Sequence, residues 1–531
     1  MSSLGRATAV MSLGTVLSRV TGLLRLAAVT AALGIVESGR LADTYNLGNT
    51  APNIIYELVL GGVLTSVFVP VFVELLAKEG RERAWEVASA IINLSMVGLT
   101  AITTLGVLAA PWIARVYAVR AQEQAGLQQE VLAFLLRLFI PQIIFYGLYA
   151  VASGLLNANK RFGPAMYTPV LNNVAVIAVF VAFHQSFGAI AGLEAVTTTQ
   201  LWVIGAGTTV GVALQAVALL PWLKGSGRYR LTLNARHPSI RKLARLSIFV
   251  IGYVVTNQIG YLIVQWLANG QTGGYSAYIS AFTFFMLPHG LFAVSVITAL
   301  LPGLSEHALN ERWDEFRERL STGTRATFLL ILPAAIGYFV LAEPIIRVLL
   351  EHGVMQPGSV DLVAGVLRFF VLGLVPFSLF QLLLRAFYAL QDTKTPFLVN
   401  CGAVALNTAV NVPMFLLLEV RGLAAGHALS YVFGVTLLAR ALSKRIGGLE
   451  AARLRASAIR ISAAALGMGV TVWVTLEAVR RAVDTSSLGG GIIAVVAPVS
   501  IGVLTYLGLA TWLDVDELRF VRNLVSRRLR R

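Results

Sequence analysis

Cysteine is almost absent. Cys401 stands alone among 531 residues, so no intrachain disulfide can form and no cysteine cluster can hold a metal. Charge is scarce too: charged residues make up 13% of the chain, where a soluble domain carries about 25%. No stretch is polar enough to be such a domain. The phosphate-binding glycine loop with GK[ST], the HExxH pair and CxxC are all missing, and with them the enzyme classes they serve.

Apolar residues fill the space instead, at 57% of the chain. They come in blocks of about 20, the length that crosses roughly 30 Å of hydrocarbon as a helix. Fourteen blocks are expected to span: 8–33, 42–77, 85–111, 131–156, 165–187, 200–223, 246–268, 275–304, 325–343, 361–389, 396–418, 422–441, 457–479 and 489–513. The fold class is therefore an all-α polytopic membrane protein. Arg6 before an apolar run resembles a leader, but Arg19 and Arg25 interrupt the run, so it reads as a retained first span.

The net charge of +16 does not imply a nucleic-acid partner, because the basic residues sit in short loops. With the N-terminus cytoplasmic, 30 Lys and Arg fall on the cytoplasmic side, seven on the opposite side and five inside spans. That bias puts both termini in the cytoplasm. Segments 228–245, 306–325 and 514–531 look amphipathic. They either lie on the anionic leaflet and contact other proteins or are solvated flanks that only set topology.

A repeat runs through the chain. TSVFVP at 65–70 and ITALLP at 297–302 are offset by 232 residues, as are GLLNANKRFGP at 154–164 and AFYALQDTKTP at 386–396. The expected organisation is two parallel six-helix lobes, 1–224 and 225–446, then two added helices within 447–514 and a basic tail at 515–531. Secondary transporters use this plan, with the substrate between the lobes.

Arginine inside a span costs roughly 2.5–3.5 kcal/mol on insertion scales. Arg19 and Arg25 therefore read either as an anionic head-group site, for which the guanidinium fork suits phosphate, or as halves of buried ion pairs. Asn46, Asn49, Asn53 and Glu57 recur on one face of the second span, continued by Gly61 and Thr65, and Pro52 is expected to break that helix. Glu57 could neutralise an arginine or bind a coupling proton or cation. Tyr253, Asn257, Tyr261 and Gln265 form a second polar face, and Thr283 lies in the eighth span. Asn257, Asn407 and Asn411 could hold a cation, although interhelical hydrogen bonding is the commoner use of such amides. His289 and His427 read as packed or hydrogen-bonded residues.

At SRVTGLLR (18–25), ADTYNLGNTAPNIIYELVLGGVLTSVFVPVFVELL (42–76), LNANKRFGPAMYTPVLNN (156–173) and LPHGLFAVSVITALLPGLS (287–305), the chain resembles the MurJ/MviN family of lipid II flippases. That family lies in the multidrug/oligosaccharidyl-lipid/polysaccharide exporter superfamily. The resemblance implies a cationic central cavity formed by spans one, two, seven and eight. It implies an undecaprenyl-pyrophosphate-linked peptidoglycan precursor as substrate, and a bacterial cell membrane as location. Alternating access would carry the head group outward, without a cofactor and coupled to membrane potential, Na⁺ or H⁺. Arg19 and Arg25 match the family's first-span arginines, and Asp43 its acid at the outer end of span two. Leu26, Tyr56 and Thr283 stand where many relatives carry a charge. Three other readings stay open: a flippase for a different polyprenyl-linked oligosaccharide, a drug or metabolite antiporter, and a non-transporting scaffold for cell-wall synthesis.

Overall fold

The computed structural model describes residues 3–57, 72, 78–159, 161–224, 229–232 and 238–518. Regular structure among them is entirely helical, as a chain in hydrocarbon requires, since a helix satisfies its backbone polar groups within one segment. The chain divides into two compact units: Met1–Ser276 with His352–Gln356, and Ala277–Glu351 with Pro357–Arg531.

The first unit holds α1 (Ser3–Leu33), α2 (Leu41–Tyr56), α3 (Gly80–Ala118), α4 (Ala125–Phe139), α5 (Gln142–Ala158), α6 (Phe162–Phe187), α7 (Thr198–Val217) and α8 (Pro238–Ala268). It ends in the first turn of α9 (Gly274–Pro288). Helix α1 packs along α6, α6 along α7, and α2 along α4. Their shared core is aromatic: Tyr45 meets Phe139 and Phe180 edge-on at centroid distances of 5.5 and 5.2 Å. Helix α7 begins with a reciprocal cap. The Thr197 hydroxyl accepts from the Gln200 backbone N–H, and the Gln200 side chain accepts from the Thr197 N–H, which satisfies two of the helix's orphan donors.

The second unit continues α9 through a π-helical turn, His289–Ala293, into α10 (Val294–Leu309). Pro288 opens that turn, and a proline without its N–H is a common cause of such widening. Then come α11 (Trp313–Leu350), α12 (Pro357–Leu372), α13 (Leu374–Ala389), α14 (Lys394–Leu418), α15 (Val420–Ile446), α16 (Ala451–Ala482) and α17 (Leu488–Trp512). The last two pack on each other and on α11, around Leu329, Leu341, Ile461, Met468, Val472 and Tyr506.

Eleven helical stretches among the described residues are long and apolar enough to cross a membrane, and α12 with α13 makes a twelfth, bent by 47°. The bend was not legible in the apolar block 361–389. Of the two other expected spans, 42–77 lies mostly outside the described residues and 246–268 lies within α8. The all-α architecture of about fourteen membrane helices is thus met. Segment 306–325 is no separate surface helix. It comprises the end of α10, a short turn, and the start of α11, where Arg312 pairs with Glu306 and Glu315 at 2.9 Å each. Gly61, Thr65, the 65–70 repeat and most of the 228–245 and 514–531 segments lie outside the described residues.

One ion pair ties the end of the second unit down. Arg325 on α11 meets Glu517 at 2.6 Å, and Glu517 is buried. Removing one partner of a buried pair leaves an uncompensated charge, at a cost of about 3–5 kcal/mol. Glu517→Gln should therefore lower the melting temperature of the detergent-purified protein measurably. Pairing Arg325→Met with Glu517→Leu should recover most of the loss, and equal melting of wild type and Glu517→Gln would count against this assignment. Asp392, in the loop before α14, accepts from the Thr395 N–H at 3.0 Å, the Thr395 hydroxyl at 2.8 Å and Arg445 at 2.6 Å. Burial opposes its charge, yet these donors outweigh burial and hold its carboxyl below the usual range.

Candidate functional site

Arg19 and Arg25 are six residues apart on α1, about 9 Å along the axis. Arg19 is exposed and Arg25 half-buried. The Arg25 guanidinium lies beside the hydroxyls of Tyr45 and Tyr146. Tyr45 is itself fixed by Thr208, whose hydroxyl is 3.0 Å from its own. Neither arginine is paired with a carboxylate among the described residues, and no ion pair joins Glu57 to them.

Helix α2 presents two faces. Asp43, Thr44, Tyr45, Leu47, Gly48, Thr50 and Pro52 are buried, while Asn46, Asn49 and Asn53 are half-buried and Glu57 is exposed. The polar stripe is thus the accessible face of this helix within its unit. The Asn46 amide donates to the Ser276 hydroxyl at 2.9 Å, and Asn53 donates to the Asn49 carbonyl at 3.0 Å. The Asn49 side-chain oxygen is buried without a partner among the described residues. The expected break at Pro52 does not occur there. The helix runs on to Tyr56 and widens at Glu57 instead.

The N-terminal end of α2 is latched. Asp43 is fully buried. One carboxylate oxygen accepts from the Gly273 N–H at 2.7 Å and the other from the Ser276 N–H at 2.8 Å. These donors belong to the start of α9, where backbone N–H groups lack helical partners and the helix dipole favours an anion. Gly273 has φ +73, and a Cβ there would stand 2.7 Å from Val36 Cγ2, so glycine alone fits. Arg40, also buried, donates to the Asn269 carbonyl at 2.7 Å. Burial lowers its pKa, and the Asp43 charge works the other way.

Behind the latch runs a buried polar network. Gln128 donates to Thr44 at 3.2 Å and Asn269 at 3.0 Å, and Asn269 donates to the Tyr117 carbonyl at 2.8 Å. The Tyr117 hydroxyl donates to Gln265 at 2.8 Å, and Gln265 donates to the Tyr275 hydroxyl at 3.2 Å. Tyr275 then meets Thr50 at 2.8 Å and Tyr261 at 3.0 Å. A network satisfied throughout rigidifies the elements it joins. Apart from Tyr261 and Gln265, its members were not among the sequence candidates. Their one local signal is polarity inside apolar blocks.

The remaining candidates are dispersed. The Tyr253 side chain lies outside the described residues. Asn257 is half-buried on α8 and hydrogen-bonded or otherwise engaged. The Thr283 hydroxyl bonds the Ile279 carbonyl of its own helix at 2.9 Å. Asn411 donates to Asn407 at 2.9 Å on α14, in the second unit, whereas Asn257 belongs to the first. His289 meets the Ser378 hydroxyl at 3.0 Å, and His427 is packed among Phe282, Phe285, Phe370, Phe377 and Tyr431.

The chain is a multi-pass membrane bundle whose first-span arginines meet no carboxylate among the described residues. In fold the chain is similar to an inward-facing multidrug resistance MATE family transporter of the MOP superfamily, at a TM-score of 0.65 and 16% identity over 81% of this chain and 95% of that one. It is also similar to a structure of the lipid II flippase MurJ in an inward closed conformation, at a TM-score of 0.76 and 22% identity over 97% and 99%. The family model "Lipid II flippase MurJ" matches residues 32–490. The lipid II flippase MurJ of Burkholderia cenocepacia is 30% identical over 456 residues, covering 83% of this chain and 84% of that protein. The chain belongs to the lipid II flippase MurJ family.

Proposed function

We propose that this protein carries lipid II, the polyprenyl-pyrophosphate-linked precursor of peptidoglycan, from the cytoplasmic to the outer leaflet of a bacterial cell membrane. Family membership supports the reaction. The observation that carries the chemistry is Arg25, half-buried beside two tyrosine hydroxyls with no carboxylate partner among the described residues. A pyrophosphate cannot cross hydrocarbon with its charge unmatched. A guanidinium offers it fixed charge-assisted donors.

In this reading Arg19 and Arg25 hold the pyrophosphate. Asn46, Asn49, Asn53, Asn257 and Tyr261 bond the sugars, and Asp43 closes the outer end. The halves 1–224 and 225–446 move against each other in alternating access, and 447–514 adds two flanking helices. Both termini are cytoplasmic, and the basic segments meet the cell-wall synthesis machinery. Membrane potential is a sufficient drive, since moving one charge through 100 mV releases about 2.3 kcal/mol and the substrate is anionic. Na⁺ or H⁺ coupling is the alternative. Leu26, Tyr56 and Thr283 make the site less cationic than the usual family pattern, which favours a second reading in which the lipid-linked sugar differs.

Depleting the native lipid II flippase in a bacterium and expressing this chain tests the proposal. Restored growth with outer-leaflet lipid II is the expected result. Failure of a well-expressed, membrane-inserted protein, in a closely related host as well, would leave the reading with the different sugar.

A further inference from the structure

A cavity of about 590 Å³ lies within the second unit, lined by Phe339, Asp361, Gly365, Arg368, Phe369, Leu372 and Arg421. It has no part in the substrate path proposed above. Phe339 and Leu372 are 44% and 59% exposed, and both belong to helical stretches long and apolar enough to cross a membrane, so its walls include apolar surface of membrane-spanning helices. Asp361, Gly365, Arg368 and Leu372 recur every three to four residues and share one face of α12.

Two features mark this as more than a gap. Arg368 lies half-buried inside an apolar span, where an isolated guanidinium is costly, and it has no ion pair or side-chain hydrogen bond among the described residues. Arg421, in the first turn of α15, is likewise without a partner there. Its guanidinium lies across Gly365, where an added Cβ would stand 2.6 Å from Nε. The missing side chain at Gly365 is what lets Arg421 reach into the cavity that Arg368 lines. Asp361 is exposed at the same cavity and pairs with neither arginine among the described residues. Two cations, one anion and an apolar wall complement a molecule with a phosphate, a donor group and hydrocarbon chains.

We propose that this cavity binds a membrane glycerophospholipid. Arg368 and Arg421 hold its phosphate, Asp361 receives the amine or hydroxyl donors of its head group, and Phe339, Phe369 and Leu372 cover its acyl chains. Guanidinium forks suit a phosphate diester, and acyl chains in the surrounding leaflet keep the local ligand concentration high.

Native mass spectrometry of the delipidated full-length protein tests this, with an Arg25→Ala background keeping the substrate path from contributing. Added phosphatidylethanolamine or phosphatidylglycerol should give a one-to-one adduct. Arg368→Gln with Arg421→Gln should weaken it tenfold or more. Gly365→Leu, which keeps both arginines and fills the cavity, should weaken it comparably, and it guards against misfolding of the double variant. Asp361→Asn should weaken phosphatidylethanolamine more than phosphatidylglycerol. Unchanged adducts in both the double variant and Gly365→Leu would overturn the proposal. So would inorganic phosphate or glycerol 3-phosphate competing at concentrations equal to lipid, which would make this a site for soluble anions.

Discussion

Asp43→Ala should abolish lipid II translocation while leaving the protein inserted in the membrane. The Asp43 carboxylate is fully buried and accepts from the N–H groups of Gly273 and Ser276, at the start of α9, at 2.7 and 2.8 Å. Alanine leaves two buried donors unsatisfied, at about 1–3 kcal/mol each. In the proposed alternating access, α2 parts from Gly273 and Ser276 and the same groups reach water. The penalty therefore falls on the latched arrangement alone, and even its lower bound of about 2 kcal/mol shifts the balance roughly 30-fold toward the open one. Asp43→Asn is the sharper comparison. An amide keeps one acceptor but turns its NH₂ toward the second N–H, so this variant should also fail to support growth. The check is complementation together with labelling of a cysteine placed at Ser38, a buried residue near the latch, after Cys401→Ser. Labelling should rise in both Asp43 variants. Full growth without added labelling would remove Asp43 from the gate.

Arg25→Ala should reduce lipid II binding by about ten- to a hundredfold, the range expected for loss of a charged hydrogen bond worth about 1.5–3 kcal/mol. Arg25→Lys keeps the charge without the planar fork and should fall between wild type and alanine. Arg19 is exposed within its unit, whereas Arg25 is half-buried beside two tyrosine hydroxyls, so Arg19→Ala should cost less than Arg25→Ala. The distinguishing measurement is lipid II affinity for the purified variants, with melting temperature as a control. Equal affinity in wild type and Arg25→Ala would return Arg25 to a structural role. A ten- to hundredfold loss with an unchanged melting temperature would place the pyrophosphate at Arg25.

Sequence made the membrane architecture legible because hydrocarbon imposes one length and one polarity on each span. The Asn46–Asn49–Asn53 face was legible for a similar reason: helical spacing brings residues three and four apart onto one side, whatever the rest of the chain does. The latch was a different matter. Asp43 stood out only through family resemblance, and its partners Gly273 and Ser276 are 230 and 233 residues away. Tyr45 looked like one more aromatic in an apolar block, yet its hydroxyl meets Thr208 and lies beside Arg25. The bend between α12 and α13 escaped because Gly373 interrupts neither the hydropathy nor the length of the block. Periodicity describes one helix at a time, and each of these features depends on a second.

The short segment His352–Gln356 packs with the first unit although it lies between α11 and α12 in sequence. There the Val354 N–H reaches the Ala31 carbonyl at 2.9 Å and the Gln356 N–H reaches Glu37 at 2.8 Å. During synthesis the N-terminal helices must therefore wait. When residue 276 leaves the ribosome, the Ala31 carbonyl and one Glu37 oxygen still lack these donors, and some 80 further residues must follow before they arrive. The first unit is completed by chain made long after its own last helix, so its helices must enter the bilayer and hold their places unfinished. A fragment ending between the two expected lobes would lack that closing piece however well its spans inserted.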